Sequence, residues 1–105
     1  MVNIRALQPD AASELLASEE VMILDCRDLA DYRAGHMEGA MHSHDDLVEG
    51  LIRRGDKDRH MLVYCYSGHR SEHLTEFLTQ FGFKNACNLA GGYQAWQSWV
   101  NQQTA

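Results

Sequence analysis

Two short apolar runs constrain this chain more than anything else in it. Val21-Met22-Ile23-Leu24 and Met61-Leu62-Val63-Tyr64 are each unbroken by a charge and too short for a buried helix. A strand covered on both faces needs such a run, because a strand with one wet face would alternate. Around them the apolar residues change period. Ala12, Leu15 and Leu16 follow Pro9 and Asp10 at helical spacing, and Leu47, Val48, Leu51 and Ile52 form a stripe over Asp45–Arg54. Leu74, Phe77, Leu78 and Phe81 form another, closed by Gly82. A brief helix over Leu29–Arg33 ends at Gly35, Ala86–Leu89 reads as a further strand, and Gly91–Val100 as a last helix. Val2–Arg5 is a weakly signalled edge strand. Asp45 and Asp46 start their helix and Arg53 and Arg54 end it, complementing its dipole, with Gly55 expected in a left-handed C′ position. Buried strands alternating with amphipathic helices predict an α/β domain with a mostly parallel sheet.

A chain of 105 residues can bury one sizeable core, so residues 1–105 are expected to form a single domain. Nine Lys and Arg against fifteen Asp and Glu leave a net charge of −6. That balance argues against nucleic acid or an anionic membrane as the main partner, since both demand a basic face. The N-terminal stretch has no apolar signal core, and no stretch approaches the roughly 18 apolar residues of a membrane span. The expectation is a cytoplasmic protein with reduced thiols. Its cysteines, at positions 26, 65 and 87, contain no C-x-x-C pair, which fits neither a disulfide framework nor a zinc knuckle.

In a parallel α/β sheet the functional crevice lies beyond the carboxyl ends of the strands. Asp25-Cys26-Arg27 and Cys65-Tyr66-Ser67-Gly68-His69-Arg70 occupy that place. Cys65 closes a buried strand and a helix begins within a few residues. The link must turn back sharply, so its N–H groups converge and, with the helix N-terminus, form a cradle for an anion. A thiol at its base would have its ionised form stabilised. Arg70 offers a fixed positive fork of donors, Gly68 an unusual backbone conformation, and Ser67 and Ser71 hydroxyl donors. Cys26 and Cys87 adjoin apolar strand residues with no such loop after them and read as small core side chains.

Four segments together resemble the single-domain rhodanese-like sulfurtransferases. Cys65-Tyr66-Ser67-Gly68-His69-Arg70-Ser71 is similar to the family's active-site loop, often C-x-S-G-x-R-S, and Leu24-Asp25-Cys26-Arg27 to its D-x-R strand end. Tyr32 to Ala40 resembles its Y-x-x-G-H-I-P-G-A signature, and Leu89 to Trp96 its closing L-x-G-G-x-x-x-W. Met37-Glu38 replaces the usual Ile-Pro, Met41-His42-Ser43-His44 replaces an asparagine-containing continuation, and Cys26 stands where Val is frequent. The resemblance implies a rhodanese-like α/β fold, with a five-stranded, mostly parallel sheet flanked by helices on both faces. It also implies a thiosulfate sulfurtransferase without a cofactor. In that chemistry Cys65 thiolate attacks the outer sulfur of a donor such as thiosulfate, releases sulfite and is left as a persulfide. A thiophilic acceptor, cyanide or a thiol, then removes the sulfur. Tyr66, Ser67, Gly68, His69 and Arg70 would bind donor and persulfide, with Arg70 holding the small anionic donor; a sulfur-carrier protein is a further candidate partner. Asp25 and Arg27 would orient the loop by hydrogen bonds and charge pairing, with Ser71 and His36 supporting it.

Two alternatives stand beside this reading. A small phosphatase or arsenate reductase of the same fold uses C-x5-R, whereas here Ser71 occupies the sixth position after Cys65 and Arg70 comes one residue early. A non-catalytic rhodanese protein-binding module typically lacks the cysteine, which this chain keeps. His42-Ser43-His44-Asp45-Asp46 is the densest cluster of metal-capable residues, but no further ligand spacing completes a site and none is expected. His36 is expected within hydrogen-bonding range of the Asp25 region. His69 either favours the thiolate when protonated or faces water. Tyr93, Trp96, Trp99 and the phenylalanines are expected in the core.

Overall fold

The computed structural model describes residues 4–104. Along them run β1 (Arg5–Leu7), α1 (Pro9–Ser18), β2 (Val21–Asp25), α2 (Leu29–Ala34) and β3 (Met41–His42). There follow α3 (Asp45–Arg54), β4 (His60–Tyr64), α4 (His69–Gln80), β5 (Ala86–Leu89) and α5 (Gly92–Thr104). The two apolar runs pair with each other: β2 and β4 lie parallel, Val21 opposite His60 through Asp25 opposite Tyr64. β5 lies on the other side of β4, and the full order is β1-β5-β4-β2-β3, with every pair parallel.

Each face of the sheet carries its own core, as the uninterrupted runs require. On one face Ile23, Leu62, Tyr64, Cys87 and Leu89 meet Ala12 and Leu16 of α1 and Tyr93 and Trp96 of α5. On the other, Leu24, Met61, Val63 and Ala86 meet Leu78 and Leu74 of α4 and Leu47 and Leu51 of α3. Helices therefore flank both faces. Fully burying an aliphatic or aromatic side chain stabilises by roughly 1.5–3 kcal/mol, so these two layers supply most of the drive to fold.

Several expectations shift. The first strand is Arg5–Leu7, nearer the C-terminus than Val2–Arg5; Val2 and Asn3 lie outside the described residues. Its residues are mostly exposed, and its place is set by pairing Arg5, Ala6 and Leu7 with Cys87, Asn88 and Leu89. The two-residue β3 has no periodicity to announce it and exists through pairing Leu24 with Met41 and Asp25 with His42. Gly55 is not left-handed: its φ of −70° and ψ of 151° are extended. A Cβ there would strike the Leu51 carbonyl oxygen, so the glycine permits a close approach instead. Gly82, at φ 99°, does take the left-handed turn. Phe77 and Phe81 are not core residues: they are 40% and 48% exposed and pack on each other with ring centroids 4.8 Å apart. The apolar stripe of α4 is wider than the sheet can cover. Phe77 instead joins Leu74, Val48 and Ile52 in lining a groove between α3 and α4. Trp96 and Trp99 are half-buried and tilted against each other. No helix among the described residues is long and apolar enough to cross a membrane.

Candidate active site

From β2 the chain moves outward to β3, then crosses back to enter β4 on the other side of β2. This reversal places a crevice beyond the carboxyl ends of β2 and β4. Cys65 is the first residue past β4 and is buried beneath the start of α4. Its Sγ accepts from the backbone N–H groups of Gly68 and Ser71, both at 3.2 Å, and lies 3.3 Å from the Ser71 hydroxyl. Burial by itself would raise the thiol's pKa. The Ser71 hydroxyl and the N–H groups of Ser71, Gly68 and Ser67 outweigh it and hold Cys65 below its ordinary value. The expected cradle is present around the sulfur.

Gly68 makes the turn possible. It caps α4 with φ 106° and ψ −12°, a backbone closed to most side chains. Behind the loop, α5 brings its N-terminal amides onto the loop carbonyls: Tyr93 N–H donates to Cys65 O at 2.8 Å and Gln94 N–H to Tyr66 O at 3.2 Å. Gly92, at φ 63°, allows this contact, since a Cβ there would fall 2.6 Å from Cys65 O. The sheet side of the loop is held by Asn88 of β5. Its Nδ2 donates to Gly68 O at 3.2 Å, and its Oδ1 accepts from the Ser71 hydroxyl. Sequence reasoning missed Asn88; the available signal was a polar residue inside an apolar strand, which must find buried partners.

The other predicted residues separate by position. Arg27 is buried against Asp25, Nη2 to Oδ2 2.8 Å, while Tyr64 Oη donates to the same carboxylate at 2.7 Å. Burial pushes Asp25 upward, but Arg27 and Tyr64 prevail and keep its carboxyl below the ordinary value. Arg27 also donates to Gly35 O and lies 4.1 Å over the Tyr93 ring, tying β2 to α2 and α5. Tyr66 turns outward, its hydroxyl donating to Asp31 and accepting from Asp28 N–H. Arg70 sits exposed on the rim, Nη1 3.2 Å from Asp28 Oδ1 and 3.3 Å from Cys26 O. Ser67 and His69 are exposed.

His36 departs from its expected place. Exposed, it stacks on Tyr32 at 4.0 Å, with Nδ1 2.7 Å from Tyr32 O, and takes no part in the Asp25 network. Two residues past the end of α2, it folds back onto Tyr32, four positions earlier. His42 Nε2 contacts Arg27 O at 2.7 Å, and His44 Nδ1 accepts from Leu47 N–H as the N-cap of α3. Both imidazoles thus have local roles in the backbone.

A family model of the rhodanese-like domain matches residues 8–98. A thiosulfate sulfurtransferase GlpE of Pseudomonas entomophila is 35% identical over all of this chain and 95% of its own length. One from Coxiella burnetii is 32% identical over 83% of this chain and 81% of its own. Among solved structures, the rhodanese-like domain of the Anabaena Alr3790 protein superposes with a TM-score of 0.79 and 27% identity, covering 93% of this chain and 76% of that one. A Rhodopseudomonas palustris protein described as a possible tyrosine phosphatase gives 0.78 and 26%, covering 92% and 82%. The all-parallel five-stranded sheet, the helices on both its faces and these whole-chain likenesses agree, and the chain belongs to the rhodanese-like domain family, among its rhodanese-type sulfurtransferases.

Proposed function

We propose that Cys65 thiolate takes the outer sulfur of thiosulfate or another persulfide donor, releases the donor's remainder (sulfite from thiosulfate), and holds the sulfur as a persulfide. A thiol or cyanide then removes it, so the transfer is covalent and runs in two steps. One observation carries this reading: the convergence of the Gly68 and Ser71 N–H groups and the Ser71 hydroxyl on Cys65 Sγ. Those donors stabilise a sulfur anion both as the attacking thiolate and as the leaving group when the acceptor returns it. The relatives' description as thiosulfate sulfurtransferases supports the choice of donor. Arg70, exposed at the rim, would receive the anionic donor or an acidic segment of a sulfur-carrier protein.

The phosphatase alternative is kept in view by the possible phosphatase from Rhodopseudomonas palustris. A phosphate-embracing loop needs an arginine where this chain has Ser71, whose N–H donates to Sγ and whose hydroxyl lies between Sγ and Asn88 Oδ1. Intact mass spectrometry after incubation with thiosulfate tests the proposal. The wild type should gain one sulfur atom and lose it to cyanide, while Cys65→Ser gains none. Turnover of thiosulfate and cyanide by Cys65→Ser would refute it. An intact Cys65 that never takes up sulfur from any donor would favour a protein-binding module.

A further inference from the structure

Cys26 reads from the sequence as a volume substitute, yet the fold sets it beside Cys65. β2 and β4 are in register up to Asp25 opposite Tyr64, and Cys26 N–H donates to Tyr64 O at 2.8 Å, extending the ladder one step. Cys26 and Cys65 are therefore the next register pair. Partners across a parallel ladder point to the same face, and their backbones lie about 4.8 Å apart. That spacing falls within the roughly 4.4–6.8 Å between Cα atoms that disulfides span. The shared face is the α4 side: Cys26 packs against the cluster that holds Leu24, Val63 and Leu78, and Cys65 Sγ is held by Ser71 of α4. Cys87 packs on the opposite face of the sheet, out of reach of both.

Resting on the persulfide reading above, we propose that Cys26 is a resolving thiol, an internal acceptor that discharges the Cys65 persulfide when no external acceptor arrives. Cys26 sulfur attacks Cys65 Sγ, and a bond forms between the two cysteine sulfurs as the bond from Sγ to the outer sulfur breaks. The outer sulfur leaves with the bonding pair and takes a proton, giving hydrogen sulfide, while the Cys26 thiol proton passes to water. The outer sulfur is reduced, Cys26 is oxidised, and no other oxidant is consumed. A dithiol reductant then restores both thiols.

Other groups set the pace of this step. Burial first, then the Cys65 and Asp25 charges, push the Cys26 thiol up to about 12, with Arg70 opposing them. Cys26 is therefore mostly protonated near neutrality, so an external thiol has time to take the sulfur first.

The test loads wild type and Cys26→Ser with thiosulfate, removes the donor, and incubates both without acceptor or oxygen. Wild type should lose its added sulfur, release stoichiometric sulfide and yield a Cys26–Cys65 cross-linked peptide on non-reducing mapping. Cys26→Ser should keep its added sulfur and release no sulfide. Equal retention of the sulfur by the two proteins would overturn the inference while leaving the persulfide reading intact. So would sulfide release from wild type without the cross-link. Failure of both proteins to take up sulfur would overturn the persulfide reading and this inference with it.

Discussion

The backbone of Gly92 lies so close to the loop after β4 that a Cβ on it would fall 2.6 Å from the carbonyl oxygen of Cys65. The helix behind the loop therefore acts as a template for it: the first amides of α5 hold the carbonyls of Cys65 and Tyr66, which turns the amides of the next residues toward the sulfur. Gly92→Ala forces the two apart and also strains a φ of 63°. We expect a stability loss of about 2 kcal/mol and a fall in kcat/KM that exceeds it in proportion, read by denaturant unfolding and steady-state assay.

Ser71 holds the sulfur twice, by its backbone and by its hydroxyl. Its single hydroxyl proton is shared between Cys65 Sγ and Asn88 Oδ1. Ser71→Ala keeps the backbone donor and removes the other. A hydrogen bond to a charged group contributes about 1.5 kcal/mol, so alkylation of Cys65 by iodoacetamide near neutrality should slow about tenfold. The pH profile of alkylation should shift upward, because the thiolate loses a donor while burial still opposes it. An unchanged profile would mean that the proton rests on Asn88.

The buried Asp25–Arg27 pair predicts an acid limb of stability. Asp25 lies below its ordinary value of 3.8 in the folded protein, so its contribution is complete above that value and is lost as pH falls through the folded one. Wild-type stability should decline below about pH 4 in part through this group. Asp25→Asn leaves Arg27 buried without a counter-charge and should cost about 3 kcal/mol at neutral pH, while flattening the acid limb. Denaturant titrations across pH check both.

Arg70 and Asp28 form an ion pair with side chains 54% and 71% exposed, a solvated contact that holds the two only weakly. An incoming anion can therefore displace Asp28 at little cost. Arg70→Ala should raise KM for thiosulfate about tenfold and leave use of a neutral sulfur donor nearly unchanged. Asp28→Asn should lower KM for thiosulfate, since it frees the guanidinium. Equal losses with both donors in Arg70→Ala would show that Arg70 shapes the loop and does not bind the anion.

Much of this protein is legible in its residues because strong local signals coincide with the final structure. Unbroken runs such as Met61–Tyr64 can satisfy their side chains only between two helical layers, and Gly68 and Gly82 mark turns that need a positive φ. Cys65 and Gly68 fall on a short strand-to-helix link and Arg70 on the first turn of α4, so the local chain brings amides near the thiol before α5 fixes them there. The charges at the two ends of α3 likewise sit where the dipole asks for them.

The remaining features arise from pairing between distant segments, which no local pattern encodes. The strand β3 and the shifted β1 exist only through their partners. Asn88 and Gly92 reach the loop because β5 and α5 dock against it, and the exposure of Phe77 reflects how much of α4 the sheet can cover. Cys26 shows the division most clearly. As one residue in a chain it is a small apolar filler, since its type and its neighbours give it no other role. The register of β2 on β4 turns it into the neighbour of Cys65, because which side chains meet across a parallel ladder is decided when the strands pair.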